Sequence, residues 1–194
     1  MNNYIINQIN EARCVMDRML SDEKLQATLM AASAACVDSL RQGGKILLAG
    51  NGGSAADSQH IAGELVSRFA FDRPGLPAIA LTTDTSILTS IGNDYGFEKL
   101  FSRQVQAQGR AGDILIGYST SGKSRNILNA LEVARKMNIL TIGLTGNRGG
   151  AMLDLCNHLL EVPSADTPKI QEGHLVLGHI ICGLIENALF KEVK

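Results

Sequence analysis

Residues 54–68 of this chain read Ser-Ala-Ala-Asp-Ser-Gln-His-Ile-Ala-Gly-Glu-Leu-Val-Ser-Arg, which sets Asp57, His60, Glu64 and Arg68 three or four residues apart. Side chains at that spacing share one face of a helix, so His60 and Glu64 can hold one metal ion or one substrate atom between them. A second segment, Ile-Gln-Glu-Gly-His-Leu-Val-Leu-Gly-His at 170–179, offers Gln171 and His179. Apolar residues surround both groups, and ionisable side chains there are costly unless neutralised or put to use. The two segments are therefore expected to form one site divided across the sequence. Gln171 and His179 are eight residues apart. On one helix that is about 12 Å of axial rise, so spacing alone does not bring them to one ion. His174 reads as a core or surface histidine of the same helix, and His158, at the start of a strand, as structural.

Three further polar clusters could hold an anion. Ser119-Thr120-Ser121-Gly122-Lys123-Ser124 follows an apolar strand and opens a helix. Hydroxyls and free backbone N–H groups at a helix N-terminus form an anion site. A helix cap alone would need one or two of these four hydroxyls. The same stretch, from Gly117 to Ser124, satisfies the nucleotide-triphosphate loop pattern G-x-x-x-x-G-K-[ST]. Against that reading, the loop follows the third strand rather than the first. Its variable positions are mostly hydroxyls, and the nearby acid Asp84 sits beyond a strand end in a Thr-Thr-Asp-Thr turn. Gly50-Asn51-Gly52-Gly53-Ser54 invites a dinucleotide reading, but Ala55 stands where the third glycine of G-x-G-x-x-G belongs. A tight turn letting backbone approach a sugar phosphate accounts for it equally. Gly92-Asn93-Asp94 is the third cluster, with a turn before a helix as its plain explanation.

The elements that must position these groups follow from hydrophobic patterning. Apolar residues recur at helical spacing over 4–41 (Ile5, Ile9, Val15, Met19, Leu25, Leu29, Ala32, Cys36, Leu40), until Gly43-Gly44. Short apolar strands then alternate with helices: strands are expected at 45–49, 78–81, 113–117, 140–144 and 158–162, with a last helix over 168–191. This alternation predicts an α/β fold whose parallel sheet is covered on both faces. Ligands of such sheets bind beyond the carboxyl ends of the strands, where the loops 50–54, 82–85, 119–124 and 145–150 lie. The N-terminal helices have no evident place in a minimal five-stranded sandwich, and their apolar faces predict packing against other subunits.

Composition sets the remaining bounds. The 194 residues fit one domain, and with 45% hydrophobic but only 4% aromatic residues its core must be aliphatic. A net charge of −1 gives no electrostatic footprint for nucleic acid or an anionic membrane. No uninterrupted apolar run approaches the ~20 residues of a membrane span, and the first residues lack the basic and apolar regions of a secretory signal. Cys14, Cys36, Cys156 and Cys182 are far apart and form no Cys-x-x-Cys. Four buried free thiols in a cytoplasmic protein are expected.

Taken together, Gly-Asn-Gly-Gly-Ser-Ala-Ala-Asp-Ser-Gln-His at 50–60, Ile-Gly-Asn-Asp-Tyr-Gly-Phe at 91–97, Ser-Thr-Ser-Gly-Lys-Ser at 119–124 and Ile-Gln-Glu at 170–172 resemble the sugar isomerase (SIS) domain family. The likeness is strongest to its branch that isomerises heptose phosphates, and it covers nearly the whole chain. It implies a flavodoxin-like three-layer sandwich with a five-stranded parallel sheet and N-terminal helices. The single domain would span 1–194, with 1–42 as oligomerisation helices and 43–194 as the sugar-phosphate-binding core. The resemblance further implies a homotetramer with sites at subunit interfaces. One zinc per subunit would sit on His60, Glu64, Gln171 and His179. Substrate would contact Asn51, Gly52, Gly53, Ser54, Asp57, Glu64, Arg68, Asn93, Asp94, Ser119, Thr120, Ser121, Ser124 and Gln171. The implied reaction converts sedoheptulose 7-phosphate to D-glycero-D-manno-heptose 7-phosphate for lipopolysaccharide or another bacterial surface glycan. A proton moving between adjacent carbons through an enediol needs a base and an acid partner, roles that suit Glu64 and His179. A related regulator of replication initiation, without isomerase activity, lacks that acid and that final histidine; both are present here.

Overall fold

Five aliphatic runs become strands in the computed structural model, which describes residues 2–147 and 149–191. Arg148 of the 145–150 loop and the ends of the expected domain, 1 and 192–194, lie outside the described residues. The strands are β1 (Ile46–Ala49), β2 (Ala78–Ala80), β3 (Ile114–Tyr118), β4 (Leu140–Gly146) and β5 (His158–Val162). They pair in parallel in the order β2-β1-β3-β4-β5. This is the expected flavodoxin-like order, with its reversal of direction between β1 and β3.

Strand alternation divides the core in two. Ile46, Leu48, Ile114, Ile116, Tyr118, Ile142 and Leu144 face one layer, made by α2 (Glu23–Arg41), α3 (Gly53–Val66) and α7 (Thr167–Phe190). Leu47, Ala49 and Leu115 face the other, made by α4 (Thr85–Tyr95), α5 (Leu100–Gln108) and α6 (Arg125–Lys136). Because β1 and β3 are covered on both faces, they read as unbroken apolar runs.

The helical stretch at the N-terminus divides at Asp22. Its carboxylate accepts the Leu25 amide at 2.9 Å and so starts α2 anew after α1 (Asn2–Ser21). Contrary to expectation, α2 does have a place in the sandwich. It buries Leu25, Leu29, Ala32, Cys36 and Val37 against α7 and β5. By contrast, α1 buries, among its described residues, only Val15 and Met19, and Tyr4, Ile5 and Ile9 stand 70%, 56% and 65% exposed. Cys14 is exposed and Cys156 only half-buried, which corrects the expectation of four buried thiols: Cys14 lies on the face of α1 that lines an open depression with Ser164, Asp166 and Lys169.

Helix α7 is long and apolar enough to cross a membrane, with a mean hydropathy of 1.4 over its most apolar window. Its Ile170, Leu177, Ile181 and Ile185 are nonetheless buried against the sheet and α3. That is the apolarity of a central core helix, and Gln171, Glu172, His174 and His179 interrupt it in sequence.

Candidate active site

The sheet reverses its winding between β1 and β3, and the loops after these two strands meet there. Asn51, after β1, and Asn126, in the first turn of α6, exchange two amide hydrogen bonds of 2.9 and 2.8 Å across the crevice. Behind them the 119–124 loop is tightly wound. The Ser119 hydroxyl donates to Ser124 Oγ at 2.9 Å, and the Ser121 hydroxyl accepts the Lys123 amide at 3.2 Å. Gly122 has φ +65° and lies against the backbone of Gly149 and Gly150, a place where any Cβ would collide. Ser119 is buried, while Ser121 and Lys123 face solvent. Asp84 caps α4 by accepting the Ile87 amide at 2.9 Å, a structural use of the acid beside β2.

One helix carries the first chemical segment as expected. Asp57, His60 and Glu64 all lie on α3, and Arg68 follows its end. The parallel α7 brings His179 alongside, and the described residues hold one cluster with the makings of a metal site: His60, Glu64 and His179, their ligand atoms within 4.8 Å of one another. His60 Nε2 is 2.8 Å from His179 Nε2 and 3.5 Å from Glu64 Oε1. Imidazole nitrogens that close are either a donor facing an acceptor or two lone pairs facing one cation. Donors on one tetrahedral zinc stand about 3.3 Å apart, given bonds near 2.05 Å, so two nitrogens and a carboxylate at these separations fit that ion. The cluster opens on a surface depression of about 440 Å³ that Gly63, Ser67, Arg68 and Phe69 also line.

Other expected site residues fall elsewhere. The Gln171 amide packs on Gly53, where an added Cβ would lie 2.5 Å from Nε2, while His179 stands two turns further along α7. Within one chain Gln171 thus joins the Asn51–Ser54 loop and not the His60 cluster. Asn93 and Asp94 occupy the last turn of α4 rather than a turn before a helix, exposed, with Asn93 donating to Asp94 at 2.8 Å. Asp57 is half-buried one turn before His60; burial raises its carboxyl pKa and His60 opposes that shift. His174 is fully buried, its ring 5.8 Å from that of Tyr118. Burial draws its pKa down to about 4, with the Thr145 backbone opposing, so it is a neutral core residue. His158 opens β5, as its structural reading requires.

Sequence reasoning missed Phe69, whose ring lies 5.6 Å from the His179 ring. It also missed Asn126. Neither has a spacing signal, because each meets its partner only through the fold.

The sequence profile of the SIS domain matches residues 9–146. The phosphoheptose isomerase of Burkholderia pseudomallei (strain 1710b) is 71% identical over 187 residues, covering 96% of this chain and 95% of that protein. Among solved structures, a phosphoheptose isomerase from Neisseria gonorrhoeae is 41% identical with a TM-score of 0.89, over 96% of this chain and 98% of that one. Another, from Francisella tularensis, is 38% identical with a TM-score of 0.91, over 95% and 97%.

Proposed function

The chain belongs to the SIS domain family, and within it to the phosphoheptose isomerases, and from that premise we propose how its residues carry out the reaction. It is an aldose–ketose isomerase that converts sedoheptulose 7-phosphate to D-glycero-D-manno-heptose 7-phosphate for heptose-containing surface glycans. The observation that carries the mechanism is the convergence of Glu64 and His179 on His60, although His60 and His179 are 119 residues apart in the chain.

Glu64 takes the proton from C1 of the ketose, exchanges it with solvent while the enediol stands, and returns a proton at C2. His179 moves the proton between the two oxygens of the enediol. A carboxylate has two oxygens, so Glu64 can face an ion with one and substrate with the other. Zinc is the metal we propose for His60, Glu64 and His179, where it would polarise the carbonyl and lower the barrier to enediol formation. Gln171, the fourth ligand the resemblance implies, packs on Gly53 two turns before His179 and does not join this set within one chain. Asn51, Gly52, Gly53, Ser54, Asn93, Asp94 and Arg68 are proposed to hold the sugar, with Asp57 close by. Ser119, Thr120, Ser121 and Ser124 are proposed to take the phosphate at the N-terminus of α6. Incubating metal-replete protein with sedoheptulose 7-phosphate, and following the aldose by NMR, tests this reading; no aldose would refute it.

The loop's likeness to a nucleotide site makes a prediction of its own. Lys123 is exposed and its charge partly screened, so Lys123→Ala should weaken substrate binding by roughly tenfold or less. Ser121→Ala or Ser124→Ala should weaken it further, each losing a direct bond to the anion. Calorimetric titration of all three with sugar phosphate, and with ATP plus magnesium, checks the order. Micromolar ATP binding that disappears in Lys123→Ala would assign the loop to a nucleotide.

We also propose that residues 1–42 serve assembly, with 43–194 as the binding core of one domain, and that the assembly is a homotetramer. The support is the exposed apolar face of α1, and a groove of about 600 Å³ lined by Met16, Leu20, Met30, Val176 and Ile180. Light scattering should give four chains at micromolar concentration; a stable monomer would refute it. A cytoplasmic location without nucleic-acid or membrane partners belongs to the same proposal, supported by the net charge of −1 and the core packing of α7.

A further inference from the structure

The two helices that carry the His60–Glu64–His179 cluster are braced together just beyond it. Glu186 lies on α7 two turns after His179, and its carboxylate is fully engaged. Oε1 accepts the Phe69 amide at 3.0 Å and Arg73 Nε at 3.1 Å, and Oε2 accepts the Ala70 amide at 2.8 Å. Burial alone would raise the Glu186 carboxyl pKa, but these amides and the guanidinium bring it below its ordinary value. Arg73 in turn grips the end of α3. Its Nη2 donates to the backbone carbonyl of Glu64 at 2.8 Å, and its Nη1 to those of Leu65 at 2.6 Å and Pro74 at 3.0 Å. The last carbonyls of a helix are ordinarily left to water. Here a guanidinium takes them, and both side chains of the pair are at most 2% exposed.

Phe69 links this brace to the cluster. Its amide is held by Glu186, and its ring lies 5.6 Å from the His179 ring at a tilt of 37°. His60 meets that imidazole edge-on from another side, centroid to centroid 5.1 Å. His179 is thus held between Phe69 and His60, while Glu64 is anchored through its own carbonyl. A buried ion pair is on average no more stabilising than apolar residues of the same volume. What Arg73 and Glu186 supply that apolar residues would not is direction: fixed bonds to the Glu64 backbone at one end and the Phe69 backbone at the other.

We infer that Arg73, Glu186 and Phe69 are positioning residues that set the separation of α3 from α7 and the ring orientation of His179 at the metal site. This rests on the metal reading above. Outer groups that orient metal ligands commonly change metal affinity or activity by 10- to 100-fold when removed. Removal of any of the three should therefore show at the metal before it shows in the fold.

Cobalt(II) is the probe, because its visible spectrum reports ligand geometry without turnover. Wild type should bind one cobalt per chain. Glu186→Gln, nearly isosteric but uncharged, and Phe69→Leu should each weaken cobalt binding by about 10- to 100-fold in chelator competition. Each should also shift the visible bands and lower kcat more than it raises KM. Glu186→Asp, which keeps the charge, should recover part of the affinity. Phe69→Leu leaves the ion pair intact, so it decides the matter if Glu186→Gln does not fold. Folded variants with wild-type cobalt affinity and spectrum, and only a lower Tm, would overturn the inference and leave a purely structural ion pair. A wild type that binds no cobalt or zinc would instead overturn the metal reading, and this inference with it.

Discussion

Glu64→Gln should lower kcat by about 10²–10⁴-fold while KM changes little, the loss expected when a positioned general base is removed. In activation free energy that is about 3–5 kcal/mol. Carboxylate and amide have nearly the same shape, so the α3 surface and the sugar contacts persist, and the amide cannot accept the proton. Glu64 also lies 3.5 Å from His60, in the cluster proposed to hold the ion, so metal content must be measured on the same sample. A metal-replete variant working within tenfold of wild type would remove Glu64 from the base role and leave it a ligand only. Dissociation constants for a non-reacting ketose phosphate should agree between the two proteins, which separates binding from chemistry.

Removing the metal should be nearly as damaging. A Lewis acid at a developing enediolate supplies several kcal/mol, so chelated protein should lose about 100-fold or more in rate and regain it with zinc. His60→Ala should behave like chelated protein and regain little at the same zinc concentration. His60 is the ligand to choose, because its side chain is 44% exposed and its loss leaves no hole in the core. Chelation should leave secondary structure unchanged, since the aliphatic layers around the sheet are complete without the cluster. The Tm should fall by only the binding term, which grows with the logarithm of metal concentration over Kd. Full activity in protein shown to hold no metal would confine His60 and His179 to substrate contacts.

Particular residues show how much of this could be read from the chain. The strands were legible because Ile46–Ala49 and Ile114–Tyr118 are short aliphatic runs ending in glycine or serine-rich turns, and a doubly covered parallel sheet imposes that pattern. His60 and Glu64 were legible because a four-residue interval fixes a shared helix face without any tertiary information. The apolar surroundings of His179 pointed to a site shared with them, but its place as a fellow ligand came only through a family resemblance; its meeting with His60 depends on α3 and α7 lying parallel, which no local spacing encodes. The same dependence hid Glu186, whose partner Arg73 is 113 residues away, and the Asn51–Asn126 pair. Periodicity found the apolar faces of the first two helices but not their partners. The α2 face is satisfied within the chain, whereas Ile5 and Ile9 of α1 are not.

This chain is expected to transfer a proton between C1 and C2 of a seven-carbon ketose phosphate. Metal-replete wild-type protein, incubated with sedoheptulose 7-phosphate in deuterium oxide and followed by NMR, tests it most directly. New aldose signals are expected, with deuterium entering at C2 of the aldose and C1 of the recovered ketose, and both changes should be about 10²–10⁴-fold slower with Glu64→Gln. Recovered ketose with no aldose and no deuterium at C1 would contradict it.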